Sequence, residues 1–244
     1  MADEGYQDAL YRAQLSERAE RYDDMVTEVA AALRIAYEDR LPLDAQLPRL
    51  FQLAYDKLMA ARRTSWQTLL AEKHKQLGAP EKVAIIEEKI SVIGRELIDL
   101  CDESLAVIDR YLTSRESYRD DEVLQAFVLK MKGDYCGYKA GVLTGPAREE
   151  ASGVASHWYV NATEVAESLD ATHPIKLGIA LNHAVFYHDV LGDTSKACAM
   201  ATAAFDKAVA DWDGVSEHHY QYSSLTMQLL RENAERWRDE AALG

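Results

Sequence analysis

Only 12 glycines and 5 prolines occur in 244 residues, and this scarcity constrains the fold more than any other feature of the chain. A fold with many tight turns needs residues that accept left-handed or fixed backbone angles at each of them. A chain this poor in them is limited to long helices with short connections. Breaks fall at Arg40 to Asp44, Gly78-Ala-Pro80, Thr113 to Asp121, Thr144-Gly-Pro146, Thr172-His-Pro174, Gly192-Asp-Thr194 and Gly214-Val-Ser216. About nine helices lie between them, which makes the expected fold all-α. Pro80, Pro146 and Pro174 suit first-turn positions, where a missing amide hydrogen costs little, and Thr172 and Ser216 suit helix N-caps. No linker, low-complexity tract or 34-residue repeat signature divides the chain, so residues 1–244 read as a single domain that is not an array of equal repeats.

A formal charge of −14 opposes general affinity for nucleic acid or anionic membranes, since both need surplus Lys and Arg. Cys101, Cys136 and Cys198 are odd in number, far apart and without a CxxC spacing, which suggests neither a disulfide framework nor a zinc site. With an acidic start and no run of about 18 apolar residues, the expected setting is the reducing cytoplasm. Asn161-Ala-Thr163 matches a glycosylation acceptor and reads as chance in that setting.

Catalytic patterns are few. No Glu is followed three places later by His, as di-iron bundles require. Asp23-Asp24-Met-Val-Thr27 resembles half of an acidic metal-binding motif, but no second half accompanies it, and a solvated acidic helix face is the simpler reading. An all-α metal-dependent enzyme using Asp23 and Asp24 remains as an alternative. His183 and His188 are five residues apart, on different helix faces, while His218 and His219 read as surface residues near a helix start. No metal site, cofactor site or nucleophile motif is expected, and the chain reads as a protein that binds other proteins.

Two late segments carry rows spaced by four: Leu177, Leu181, Val185 and Asp189, and Leu225, Leu229, Asn233 and Trp237. Each row is apolar with a polar end and lies along one helical face. Ordinary core packing with a wet end explains them, and so does the wall of a groove for an extended peptide. In the second case Asn182 and Asn233 would bond the peptide backbone, because a carboxamide offers both donors and an acceptor.

The segments Ala19-Glu-Arg-Tyr-Asp-Asp-Met25, Ala61-Arg-Arg-Thr-Ser-Trp66, Leu129-Lys-Met-Lys-Gly-Asp-Tyr135, Thr172-His-Pro-Ile-Lys-Leu-Gly178, Ala203-Ala-Phe-Asp206 and Met227-Gln-Leu-Leu-Arg231 resemble those of 14-3-3 proteins, in family order and along nearly the whole chain. The resemblance implies a nine-helix antiparallel subunit and a cup-shaped dimer. It also implies an amphipathic groove for phosphoserine or phosphothreonine segments of client proteins. Residues 1–112 would form mainly the dimerisation half with one groove wall, and 120–238 the peptide-groove half. Carried over by position, Leu181, Val185, Leu229 and Trp237 correspond to the apolar wall, and Asn182 and Asn233 to the backbone clamps. Lys130 and Asp134 match groove positions, Tyr138 matches the phosphate-contacting tyrosine, and Asp189 stands where the family has Glu. Thr226 and Arg236 replace apolar wall residues.

The phosphate site departs from the family. Its lysine position is Asp56, one arginine is kept as Arg63, and the other is Gly137. A charge-assisted hydrogen bond is worth about 1.5–3 kcal/mol, so losing two weakens phosphate capture by roughly 10²- to 10⁴-fold. Lys57 and Lys139 are each turned about 100° round the helix from the vacated positions. Two outcomes follow: weakened phosphopeptide binding, or binding of unphosphorylated segments in which Arg63 meets a client carboxylate. Gly133, Gly137 and Gly141 share one face, which either loosens the helix or admits a close neighbour.

At the dimer contact, Arg21 and Glu96 match a family ion pair. Asp24 would face Val92, and Asp8 would face Glu81, where relatives have a lysine in each pair. Surface pairs contribute only about 0–1 kcal/mol each, so these changes alone leave dimerisation possible, with itself or with a related subunit. Leu10, Leu15 and Met25 are the apolar residues expected at that contact, and Ser65 matches a serine phosphorylated in some relatives, where added charge would press into the interface. Light scattering at micromolar concentration is expected to give a mass near twice 27.4 kDa. A monomer at every concentration contradicts the carry-over.

Overall fold

A computed structural model describes residues 2–243, and the side chains of 4–242. Among the described residues there are ten α-helices and two 3-10 turns, with no strand. Among the described residues no helix is long and apolar enough to cross a membrane. The chain forms two compact units, Met1–Arg119 and Asp120–Gly244. The division falls inside the Thr113–Asp121 break.

The first unit holds α1 (Ala2–Arg18), α2 (Tyr22–Glu38), α3 (Gln46–Lys75) and α4 (Pro80–Tyr111), each packed on the next. The five-residue α5 (Glu116–Asp120) lies at its end and accounts for the tenth helix. Met25, Val29, Leu33 and Ala36 recur at three- and four-residue intervals on α2 and are fully buried. They meet Leu47, Leu50, Phe51, Ala54 and Tyr55 of α3, and Leu97, Cys101 and Ile108 of α4 complete this core. The α1–α2 boundary has no glycine or proline. Glu20 takes φ 54° there, and the Arg21 amide closes the end of α1 on the Ser16 carbonyl at 2.9 Å. Arg40 does the same after α2 with φ 52°, the Leu41 amide reaching the Ala36 carbonyl at 2.9 Å. This is the six-to-one closure usually made by glycine.

The second unit holds α6 (Glu122–Val142), α7 (Gly145–Val165), a 3-10 turn (Ala166–Ser168), α8 (Pro174–Asp189), α9 (Thr194–Ala210), a second turn (Trp212–Gly214) and α10 (Glu217–Leu243). Asp121 and Asp193 cap α6 and α9, accepting from the Leu124 and Lys196 amides at 2.9 Å each. Ser216 fulfils its expected role, its hydroxyl accepting from the His219 amide at 3.3 Å. Thr172 does not. Its neighbour His173 caps α8 through a ring nitrogen that accepts from the Ile175 amide, while Thr172 is buried and its carbonyl accepts from the Ser223 hydroxyl at 2.6 Å.

Helix α6 runs unbroken through its three glycines and is buried almost all round from Val128 to Gly137. A Cβ at Gly133 would lie 2.9–3.0 Å from the Tyr159 ring, and one at Gly137 would lie 3.2 Å from Phe186 Cδ2. At Gly141 it would meet nothing within 4 Å. Close packing therefore explains the first two glycines and not the third. Gly133→Ala is expected to lower stability by about 1–3 kcal/mol through overpacking. Gly141→Ala is expected to raise it by up to about 1 kcal/mol through helix propensity. Urea unfolding of both variants, followed by circular dichroism, measures the contrast.

Candidate functional site

A buried polar cluster is built on α6. Lys130 and Asp134 are one helical turn apart, both buried, and the Lys130 ammonium donates to Asp134 Oδ2 at 2.5 Å. Asp134 Oδ1 accepts from the Tyr159 hydroxyl of α7 at 2.7 Å and from the Asn182 amide of α8 at 2.9 Å. A buried carboxylate needs this much compensation, since an unpaired one costs several kcal/mol. The arrangement also fixes Asn182. Its N–H goes to Asp134, and its carbonyl has no partner among the described residues.

On α8, Leu181, Asn182 and Val185 are half-buried and Asp189 is exposed, while Leu177 is buried in the core with α9 and α10. The α10 row is less uniform. A four-residue step overshoots a turn by about 40°, so Leu225 and Leu229 are exposed at 57% and 40%, Asn233 is half-buried, and Trp237 is fully buried. Trp237 therefore belongs to the core and presents no wall, contrary to the reading of the row as one surface. Its ring stacks on His188 with centroids 5.0 Å apart. The His188 ring bridges Asp189 Oδ1 at 2.6 Å and Glu240 Oε2 at 2.9 Å. Burial alone would lower the pKa of His188, but its hydrogen bonds to both carboxylates and their charges outweigh burial and raise it. The Asn233 carbonyl accepts from Arg236 at 3.0 Å, so the two asparagines are not equivalent.

The residues at the phosphate positions divide between the units. Asp56 and Arg63 are both half-buried on α3, seven residues apart and hence on one face. Gly137 is buried on α6 and Tyr138 half-buried beside it, its ring 6.3 Å from that of Tyr135. Lys57, a candidate substitute, is exposed, its ammonium 5.7 Å from the centre of the Tyr22 ring on α2.

In the first unit, Arg21 is paired with Asp24 on its own helix, which raises the Arg21 pKa and lowers that of Asp24. Glu96 lies 3.6 Å from Arg62, which also approaches Asp23 at 3.9 Å. Asp23 and Asp24 are thus each engaged by an arginine, and a cation there would have to displace both guanidinium groups. No group of three or more His, Cys, Asp or Glu among the described residues is arranged to hold a metal ion. Leu10 and Met25 are buried inside the unit, so of the three apolar residues expected at a dimer contact only Leu15, 43% exposed, is open. Exposed Tyr11 and Ile85 were not singled out from sequence, and Val92 is exposed as well. Their signal was an apolar residue on an otherwise charged helix face. Ser65 is exposed on α3, donating to the Ala61 carbonyl at 3.0 Å.

The fold is all-α among the described residues, and comparison with known proteins identifies its family. The 14-3-3 protein family model matches residues 12–238. A 14-3-3 protein homolog of Encephalitozoon cuniculi is 46% identical over 238 residues, covering 97% of this chain and 92% of the relative. The 14-3-3 protein zeta of Xenopus laevis is 39% identical over 229 residues, covering 93% and 91%. A 14-3-3 protein homolog of Trichoderma harzianum is 39% identical over 241 residues, covering 98% and 89%. The chain belongs to the 14-3-3 family, and an adaptor role follows from that membership.

Removing the Asp134 carboxylate strands the buried Lys130 ammonium. Asp134→Ala is expected to cost about 3–5 kcal/mol of stability. Asp134→Ala combined with Lys130→Met should recover much of it, because no buried charge then remains unpaired. Chemical denaturation of the two variants tests this, and equal losses would mean that stranding the ammonium is not the main source of the cost.

Proposed function

We propose that this chain is an adaptor that holds extended client segments on the α8 face carrying Leu181, Asn182 and Val185, with reduced capture of phosphoserine or phosphothreonine. The observation that carries the reading is the state of Asn182, one of whose two amide N–H groups donates to Asp134, orienting the carbonyl and the second N–H for a client backbone. The polar α10 face with Leu229, Asn233 and Arg236 suits the same role. Phosphate capture is reduced because Arg63 and Tyr138 remain at their positions while Asp56 adds a negative charge and Gly137 offers no side chain. Lys57, turned to Tyr22, does not make up the loss.

The functional unit of this proposal is a dimer formed through α1, α2 and α4, with itself or a related subunit, in the cytoplasm. Exposed Tyr11, Leu15, Ile85 and Val92 supply apolar area for it. Arg21 and Glu96 must first exchange their partners within the chain, Asp24 and Arg62, for partners across the contact.

Titration of paired phosphorylated and unphosphorylated peptides tests the phosphate reading. Asp56→Lys with Gly137→Arg is expected to raise phosphopeptide affinity by at least about tenfold and to leave the unphosphorylated peptide nearly unchanged. Asp56→Lys alone is the cleaner arm, since a side chain at residue 137 must first move Phe186. Equal native affinities for both peptides would favour a groove for unphosphorylated segments, with Arg63 meeting a client carboxylate. Tight native phosphopeptide binding with no gain in either variant would overturn the impaired-site reading.

A further inference from the structure

A cavity of about 260 Å³ opens in the second unit between α7, α8 and α9. It exists because short side chains face one another there: Ala166, Ala180, Ala203 and Ala204 leave space that larger residues would fill. Ala180 and His183 of its wall lie on the side of α8 turned away from Val185, while Leu177 of the wall shares a row with Leu181.

One polar ring is built into this apolar wall. His183 is only 5% exposed, and neither ring nitrogen has a hydrogen-bond partner among the described residues. The ring is held flat on Tyr159, with centroids 4.8 Å apart and planes at 11°, and it also touches Tyr187 at 5.0 Å. Burial, reinforced by the nearby Lys196 charge, pushes its pKa down to about 4, so at neutral pH it is an uncharged imidazole with one donor and one acceptor. A buried ring with both positions unmet costs stability, and a group that supplies a partner recovers it.

We propose that this cavity binds a small, neutral, aromatic molecule bearing one N–H or O–H group, which bonds to the His183 imidazole. The volume sets the size: a cavity of about 150 Å³ takes benzene, so this one suits a bicyclic ring. The rim sets the charge. Lys176 is held by the Glu167 and Leu169 carbonyls at 3.1 and 3.0 Å and by the Glu167 carboxylate at 3.7 Å, which leaves Lys207 as a single solvated ammonium. One exposed charge gives little selection for an anion. The ring nitrogens are shielded in the cavity as it stands, so the ligand reaches them only by displacing part of the wall, which includes Met200, an unbranched and adaptable side chain.

Indole and indene test this on the full chain, since they share shape and differ in the N–H. With indole, the His183 imidazole resonances in a ¹⁵N spectrum are expected to shift saturably, with an affinity roughly fivefold or more above that for indene, the size of one neutral hydrogen bond. His183→Phe keeps the stack on Tyr159 and is expected to bind both molecules equally. Ala204→Phe fills the cavity and is expected to bind neither. The proposal is overturned by an absence of saturable His183 shifts up to the solubility of indole. Equal binding of indole and indene to the native chain overturns it too, as does native-like binding in a folded Ala204→Phe variant.

Discussion

The carboxylate of Asp134 is the point from which the second unit is organised. It lies in a helix buried on nearly every side, where a lone negative charge could not persist, and it is neutralised by Lys130 one turn away. Its second oxygen reaches Tyr159 and Asn182, so one side chain ties α6 to α7 and α8. The close approach this needs is possible because residue 133 has no side chain to keep the Tyr159 ring away. Charge, packing and the orientation of Asn182 are therefore one arrangement. Asn182 can serve as an oriented acceptor because one of its two N–H groups is anchored on Asp134 within the scaffold.

Much of the fold was legible because helices are local. Sparse glycine and proline marked long helices, and Pro80, Pro146 and Pro174 stand in first turns as expected. The boundary before α2 was invisible, because Glu20 adopts a left-handed angle that nothing in its chemistry announces. Thr172 was expected to cap α8, but its neighbour His173 does so, and the Thr172 carbonyl accepts from Ser223, 51 residues away. Boundaries failed where a residue took an uncommon conformation or a distant partner decided.

The candidate site was legible by position more than by environment. Lys130, Asp134 and Asn182 were singled out and do meet, yet their spacing of 4 and 48 residues does not disclose that one carboxylate joins them. The Leu225 to Trp237 row was open to core packing or a groove wall, and the slow rotation of a four-residue step carries it from solvent into the core. Leu10 and Met25 were expected at the dimer contact because they are apolar, which does not disclose that both side chains are buried in the unit's own interior. His183 drew notice only as a possible ligand paired with His188. Its isolation is a property of what surrounds it.

The tight surroundings of Gly137 carry a consequence for substitution. Phe186 Cδ2 stands 3.2 Å from where a Cβ would be, so any side chain placed at residue 137 must displace that ring, and a change there is coupled to the packing of α6 on α8. Asp56 is half-buried on α3 and already carries a side chain, so a change of charge there reopens no closed space. It is the freer of the two positions to drift.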